Sequence, residues 1–293
     1  MSNIHTIDDI RKFNEKQKIK KESANNSPER QEETDRLIQA REDFGSSPLK
    51  ATLNFLFPYF RIWSLTVLYL LICVCAYIIE YTIYSHHTWT CTLYIWGAKY
   101  LPSIQRLFQF YRLIAPTVLH LNIWHILWNM LALLMLGNSS EHFLGAFKYF
   151  FLLIISGVCG NLFSASFAEP WGIAVGASTC IMGILALQII WFFTVWRHLG
   201  PLKYIYAVYL AIITGTMLFG GLLDKGSDVD SWGHIGGFLS GLFFTLVFFN
   251  GAKENDFLRK FRVISALGLI LMVGCWFGWV MVRETSRCHS RVW

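Results

Sequence analysis

Seven stretches of mostly apolar residues dominate this sequence: Ile62 to Tyr84, Leu113 to Leu136, Phe147 to Phe167, Gly172 to Val195, Tyr204 to Leu223, Trp232 to Phe249 and Val263 to Val282. Each approaches the roughly 20 residues that a helix needs to cross the hydrocarbon of a bilayer. The fold class this implies is an all-α polytopic membrane protein. Composition agrees, since 54% of the 293 residues are hydrophobic and 15% are charged, against about 25% charged in soluble domains.

The charges are unevenly placed. The first 61 residues hold 21 of the 44 Asp, Glu, Lys and Arg side chains, in "RKFNEKQKIKKE" and "ERQEETDRLIQARED". No apolar run follows them, so they do not read as a secretory signal, and their acidic members oppose a transit peptide. A short helix around Glu29 to Phe44 is conceivable, but such low hydrophobicity favours disorder. The expected division is a polar cytosolic leader over residues 1–61, a six-helix core over 62–250, and over 251–293 a linker, a seventh membrane helix and a short external tail.

Orientation follows from Lys and Arg in the short connections. The leader, "WRHLGPLK" and "NGAKENDFLRKFR" are basic and should face the cytosol, while "AEPWGIAV" and "LDKGSDVD" carry little positive charge. The C-terminal "RETSRCHSRVW" opposes this assignment and is outvoted by the earlier loops. Seven spans put the termini on opposite sides, with the second, fourth and sixth spans entering from the external face.

Parity makes a site conceivable. At about 1.5 Å per residue, His120, His125 and Asn129 on the second span, Ser178 on the fourth and His234 on the sixth all lie within a few turns of that face. Polar residues inside a span are unfavourable and usually face a bundle interior or a water-filled cavity. Taken singly, each is more often interhelical glue. Together they supply a nucleophile, a base and further donors, the inventory of acyl transfer. Gly176 and Gly183 flank Ser178, and Gly233, Gly236, Gly237 and Gly241 surround His234. Small residues let helix backbones approach closely, which a short serine side chain requires if it is to reach an imidazole on another helix.

In these motifs the chain resembles the rhomboid intramembrane serine proteases. "HLNIWHILWNM" supplies two histidines and an asparagine four residues after the second, His120, His125 and Asn129. "GASTCIMG" has the GxSxxxxG form around Ser178, "WGHIGGFLSG" carries His234 and Gly237, and Arg112 in "YRLIAPTVLH" precedes His120 as in the family's first external loop. Six core helices plus one C-terminal helix is similar to the eukaryotic secretory-pathway arrangement. The resemblance implies an intramembrane serine endopeptidase with Ser178 as nucleophile and His234 as general base and acid. It implies an oxyanion site made of the Ser178 N–H, Asn129 and His125, with Gly176, His120, Arg112 and Gly237 in supporting roles. The implied partners are single-pass transmembrane substrates and membrane lipid, not nucleic acid. The implied location is the secretory pathway or plasma membrane, with the N-terminus cytosolic. The alternative is an inactive rhomboid-like protein that binds membrane clients without cutting them.

The chain departs from the family pattern at Thr179, where glycine is frequent, at Met182, where an aromatic often stacks on the catalytic histidine, and at Tyr111, where tryptophan is usual. Asp230, four residues before His234, reads as a helix N-cap rather than an orienting carboxylate. His120 reads as structural, and Glu141 as fixing a cytosolic turn. The sequon at Asn138 faces the wrong side for glycosylation. None of the seven cysteines has metal-ligand spacing, and no cofactor or metal is expected. Cys91 and Cys288 fall on the external side, where a bridge between them, two free thiols, and pairing of one with another chain are all compatible with the sequence.

Overall fold

The computed structural model describes residues 56–84, 88–196, 202–223, 229–248 and 256–283. Residues 1–55 of the leader and Cys288 lie outside the described residues. In chain order the helices are α1 (Leu65–Tyr84), the short α2 (Trp89–Trp96) and α3 (Leu101–Leu107), α4 (Ile123–Leu144), α5 (Ala146–Phe167), α6 (Ser178–Val195), α7 (Leu202–Leu223), α8 (Ser231–Phe248) and α9 (Asp256–Val282). Among the described residues α1, α5, α6, α8 and α9 contain segments long and apolar enough to cross a membrane. The apolar part of α7 is shorter, Lys203–Leu218.

The second apolar run differs most from expectation. Leu113 does not open a helix: residues 110–117 form two 3₁₀ turns, the second containing Pro116. The helix begins after Asn122, whose side chain accepts the His125 N–H at 2.8 Å as an N-cap. It then runs on through "GNSSEHFL", a polar stretch that stays helical because its side chains find partners inside the bundle. The Ser139 and Ser140 hydroxyls donate back to the Leu136 carbonyl. The Gln188 amide on α6 donates to both hydroxyls at 2.7 and 2.8 Å, and its oxygen accepts from Tyr206 on α7.

Glu141 accordingly sits in the last turn of α4 rather than in a connecting turn. It acts on a different element: its carboxylate accepts the Leu65 and Thr66 N–H groups, both at 3.0 Å, and the Thr66 hydroxyl at 2.9 Å. These are orphan donors at the start of α1, and a negative charge there also complements the helix dipole. Asn138 is buried and accepts from the Arg61 N–H and the Ser64 hydroxyl. The start of α1 and the end of α4 thus mark one end of the bundle.

The other end is built by close helix approach. A Cβ on Gly237 of α8 would collide with the Thr179 backbone of α6, and one on Gly241 with the Gly183 backbone. At those points only hydrogen fits between the helices. The C-terminal end of α9 is tied to the end of α5, whose last carbonyls it caps. Trp279 Nε1 donates to the Ser166 carbonyl and Arg283 to the Ala165 carbonyl, each at 3.0 Å. Gln105 of α3 donates to the terminal carbonyls of α9 at Arg283 and Met281.

Candidate active site

Local backbone geometry places Ser178 first. Gly176 has φ +129°, a conformation that residues with a Cβ rarely adopt, and its N–H donates to the Pro116 carbonyl at 2.8 Å. A Cβ at Gly176 would also stand 2.8 Å from both Cε1 and Nε2 of His125. The chain turns there, Ala177 takes the N-cap position, and Ser178 opens α6. The Ser178 N–H therefore belongs to the first turn, where N–H groups have no intrahelical acceptor.

His234 lies in the first turn of α8, and Nε2 of its ring is 2.7 Å from Ser178 Oγ. The other ring nitrogen, Nδ1, is 2.6 Å from the Met217 carbonyl oxygen on α7. A carbonyl only accepts, so Nδ1 carries the proton. Nε2 of a neutral ring then carries a lone pair, and the Ser178 hydroxyl donates to it. Ser178 and His234 are 8% and 4% exposed, so the pair lies largely shielded from solvent, where electrostatic contacts are strengthened. Nothing in the sequence pointed to Met217, since the group that orients the imidazole is a backbone carbonyl.

His125 is arranged by the same logic in reverse. Its Nδ1 accepts the Leu121 N–H at 3.4 Å, which leaves Nε2 as the protonated nitrogen, on the side of Gly176. The Asn129 amide donates one N–H back to the His125 carbonyl at 2.8 Å and has a second N–H to offer. The structure thus brings Ser178, His234, Gly176 and His125 together, with Asn129 one helical turn beyond His125.

The remaining expected residues stand further from the pair. His120 precedes α4 rather than lying on it. It is fully buried, its Nδ1 lies 3.2 Å from the Val118 carbonyl, and its ring meets the His125 ring edge-on at 5.4 Å. Arg112 organises the loop: its guanidinium donates to the Tyr94 and Ala98 carbonyls and to the Gln109 side chain, and it stacks on Tyr94. Asp230 Oδ1 accepts the Gly233 N–H at 3.0 Å, an N-cap bond, while the ring nitrogen an orienting carboxylate would take is held by Met217. Met182 is fully buried in the main core and Thr179 packs between Gly160 and Gly233.

A cavity of about 440 Å³ beside the pair is lined by His125, Val175, Lys99, Glu169, Asp230 and Trp232, among others. Its far wall is pinned by an antiparallel bridge between Lys99 and Ala174. The Lys99 ammonium donates to the Ser164 hydroxyl at 3.0 Å. Burial pushes the pKa of Lys99 down, and the Asp230 carboxylate opposes that shift. Among the described residues no group of three or more His, Cys, Asp or Glu side chains is placed to hold a metal ion.

A serine and a histidine thus lie in hydrogen-bond contact at one end of a multi-pass helical bundle. The Rhomboid domain family model matches residues 107–251. Rhomboid-like protease 3 of Toxoplasma gondii is 34% identical over 187 residues, which cover 62% of this chain and 68% of that protein. Rhomboid-like protease 1 of the same organism is 26% identical over 193 residues, 66% of this chain and 65% of that protein. RHOMBOID-like protein 1 of Arabidopsis thaliana is 32% identical over 157 residues, 54% of this chain and 39% of that protein. The chain belongs to the rhomboid family and is an integral multi-pass membrane protein.

Proposed function

We propose that the chain is an intramembrane serine endopeptidase that cleaves single-pass membrane proteins near the external end of their span. The observation that carries this reading is the 2.7 Å contact between His234 Nε2 and Ser178 Oγ, with Nδ1 held by the Met217 carbonyl. Ser178 Oγ attacks the scissile carbonyl carbon while its proton passes to His234 Nε2. The carbonyl oxygen becomes an oxyanion, held by the Ser178 N–H, His125 Nε2–H and the second N–H of Asn129. When the C–N bond breaks, His234 returns the proton to the leaving amine and an acyl-enzyme remains. Water, deprotonated by His234, attacks that ester, and the proton returns to Ser178 Oγ as the acid product leaves. The protonated imidazole formed on the way is stabilised through Nδ1–H by the Met217 carbonyl.

This reading places the site end of the bundle on the external face of a secretory-pathway or plasma membrane, with the leader cytosolic. It is tested with purified protein in detergent or liposomes and a labelled transmembrane substrate. Wild type should yield two product fragments, and Ser178→Ala and His234→Ala should each abolish them while remaining folded. Product formation at near-normal rate by either variant would remove the assignment.

A further inference from the structure

We propose that the groove between α1, α5 and the Ile114–Val118 segment is a binding site for one acyl chain of a membrane phospholipid. Its volume is about 230 Å³, and its walls include Leu68 and Ile72 of α1, Phe150, Ile154 and Val158 of α5, and Ile114. The polar groups within it are committed to the protein. The Tyr69 hydroxyl donates to the Thr117 carbonyl at 2.8 Å, and the Thr117 hydroxyl to the Ile114 carbonyl at 2.8 Å.

Chemistry and size together select the occupant. Ordered water needs two to four polar partners, which this lining does not offer. An α-helix with its side chains is about 10–12 Å across, so a substrate helix does not fit a groove of about 230 Å³, whereas a stretch of several methylenes of one acyl chain does. The rim is continuous with the lipid-facing surface: Leu68, Ile72, Ile114 and Phe150 are each about half exposed, and α1 and α5 both contain membrane-length apolar segments. The medium around such a rim is hydrocarbon. Moving a chain from bilayer to groove gains no hydrophobic driving force, so binding rests on dispersion contacts with the fixed walls and is selective rather than tight. The site bears on the candidate active site through its floor, because Pro116, next to Thr117, holds the Gly176 N–H.

The experiment uses full-length Ser178→Ala protein in bilayers containing a phosphatidylcholine with a photoactivatable diazirine on one acyl chain, so it does not depend on the peptidase reading. After irradiation, adducts are mapped by proteolysis and mass spectrometry. Ile154 should be labelled several-fold more than Ile270 and Leu271 of α9, which are at least as exposed. Filling the groove from either wall, by Val158→Phe or independently by Ile72→Trp, should bring Ile154 labelling down to the α9 level. Equal labelling of Ile154 and the α9 positions in the unfilled protein would reduce the groove to ordinary annular contact and overturn the proposal. So would unchanged enrichment in a folded filled variant, and either variant suffices if the other fails to fold.

Discussion

Gly176 concentrates three demands on one position: a positive φ, an N–H for Pro116, and no side chain in front of His125. Gly176→Ala should therefore lower turnover sharply. It should also destabilise the fold by about 1–3 kcal/mol through the strained backbone, read from a denaturation curve beside the rate; unchanged turnover would disconnect the turn from the site. On the proposed mechanism Asn129→Ala removes one oxyanion donor and should lower kcat by about 10²-fold with little change in KM; a change confined to KM would make Asn129 a substrate-positioning residue. Asp230→Asn keeps the oxygen that caps α8 and should leave most activity in place. A loss as deep as that of His234→Ala would mean that the carboxylate orients the imidazole after all. That Ser178 and His234 would meet was legible because their motifs combine a rare polar residue with small neighbours. The Met217 carbonyl was not, since every residue carries one and only the fold decides which carbonyl faces a ring.

Hydropathy detects segments that avoid water, which is a different property from being helical, and α4 shows the gap. Leu113, Pro116 and Leu119 are apolar, so the run reads as the start of a span, but they are buried in 3₁₀ turns and loop packed within the bundle. The polar end of α4 erred in the other direction, because its hydrogen bonds to α1 and α6 were invisible in one dimension. Glu141 offers the cleanest test of such inter-element bonding. Glu141→Ala strands the α1 donors and should destabilise by roughly 1–3 kcal/mol, the usual penalty for unsatisfied buried partners, and Glu141→Gln by less. Because this cap lies at the end of the bundle away from Ser178, the kcat of the folded fraction should hold; a fall in kcat matching that of Asn129→Ala would couple the two ends. On the proposed reading, a substrate helix must unwind locally before its carbonyl reaches Ser178. Glycine near the outer end of the span, less favourable in a helix than alanine by about 1 kcal/mol, should promote cleavage, and a uniform leucine span should resist it.

At the scale of the whole molecule, alternation of the long helices was the most useful inference available from sequence, because it placed three distant N-termini at one depth before any contact was known. The structure carries that alternation to α9. Its C-terminal end shares hydrogen bonds with the end of α5 and with α3, and α5 ends at the same side as the start of α6, since the Lys99 that bonds Ser164 also pairs with Ala174 in the segment leading to Ser178. Arg283 therefore belongs to the Ser178 side despite its charge, and two cations, Lys99 and Arg283, gather near the last carbonyls of α5, where the helix dipole favours them. The consequence is measurable with a membrane-impermeant maleimide on intact cells, in a background with Cys91 and Cys288 replaced by serine. Cysteines introduced at Glu169 and Arg283 should be modified from outside together, and one at Arg61, beside the start of α1, only after permeabilisation. Labelling of Arg283→Cys and Arg61→Cys from the same face would break the alternation and detach α9 from the position its hydrogen bonds give it.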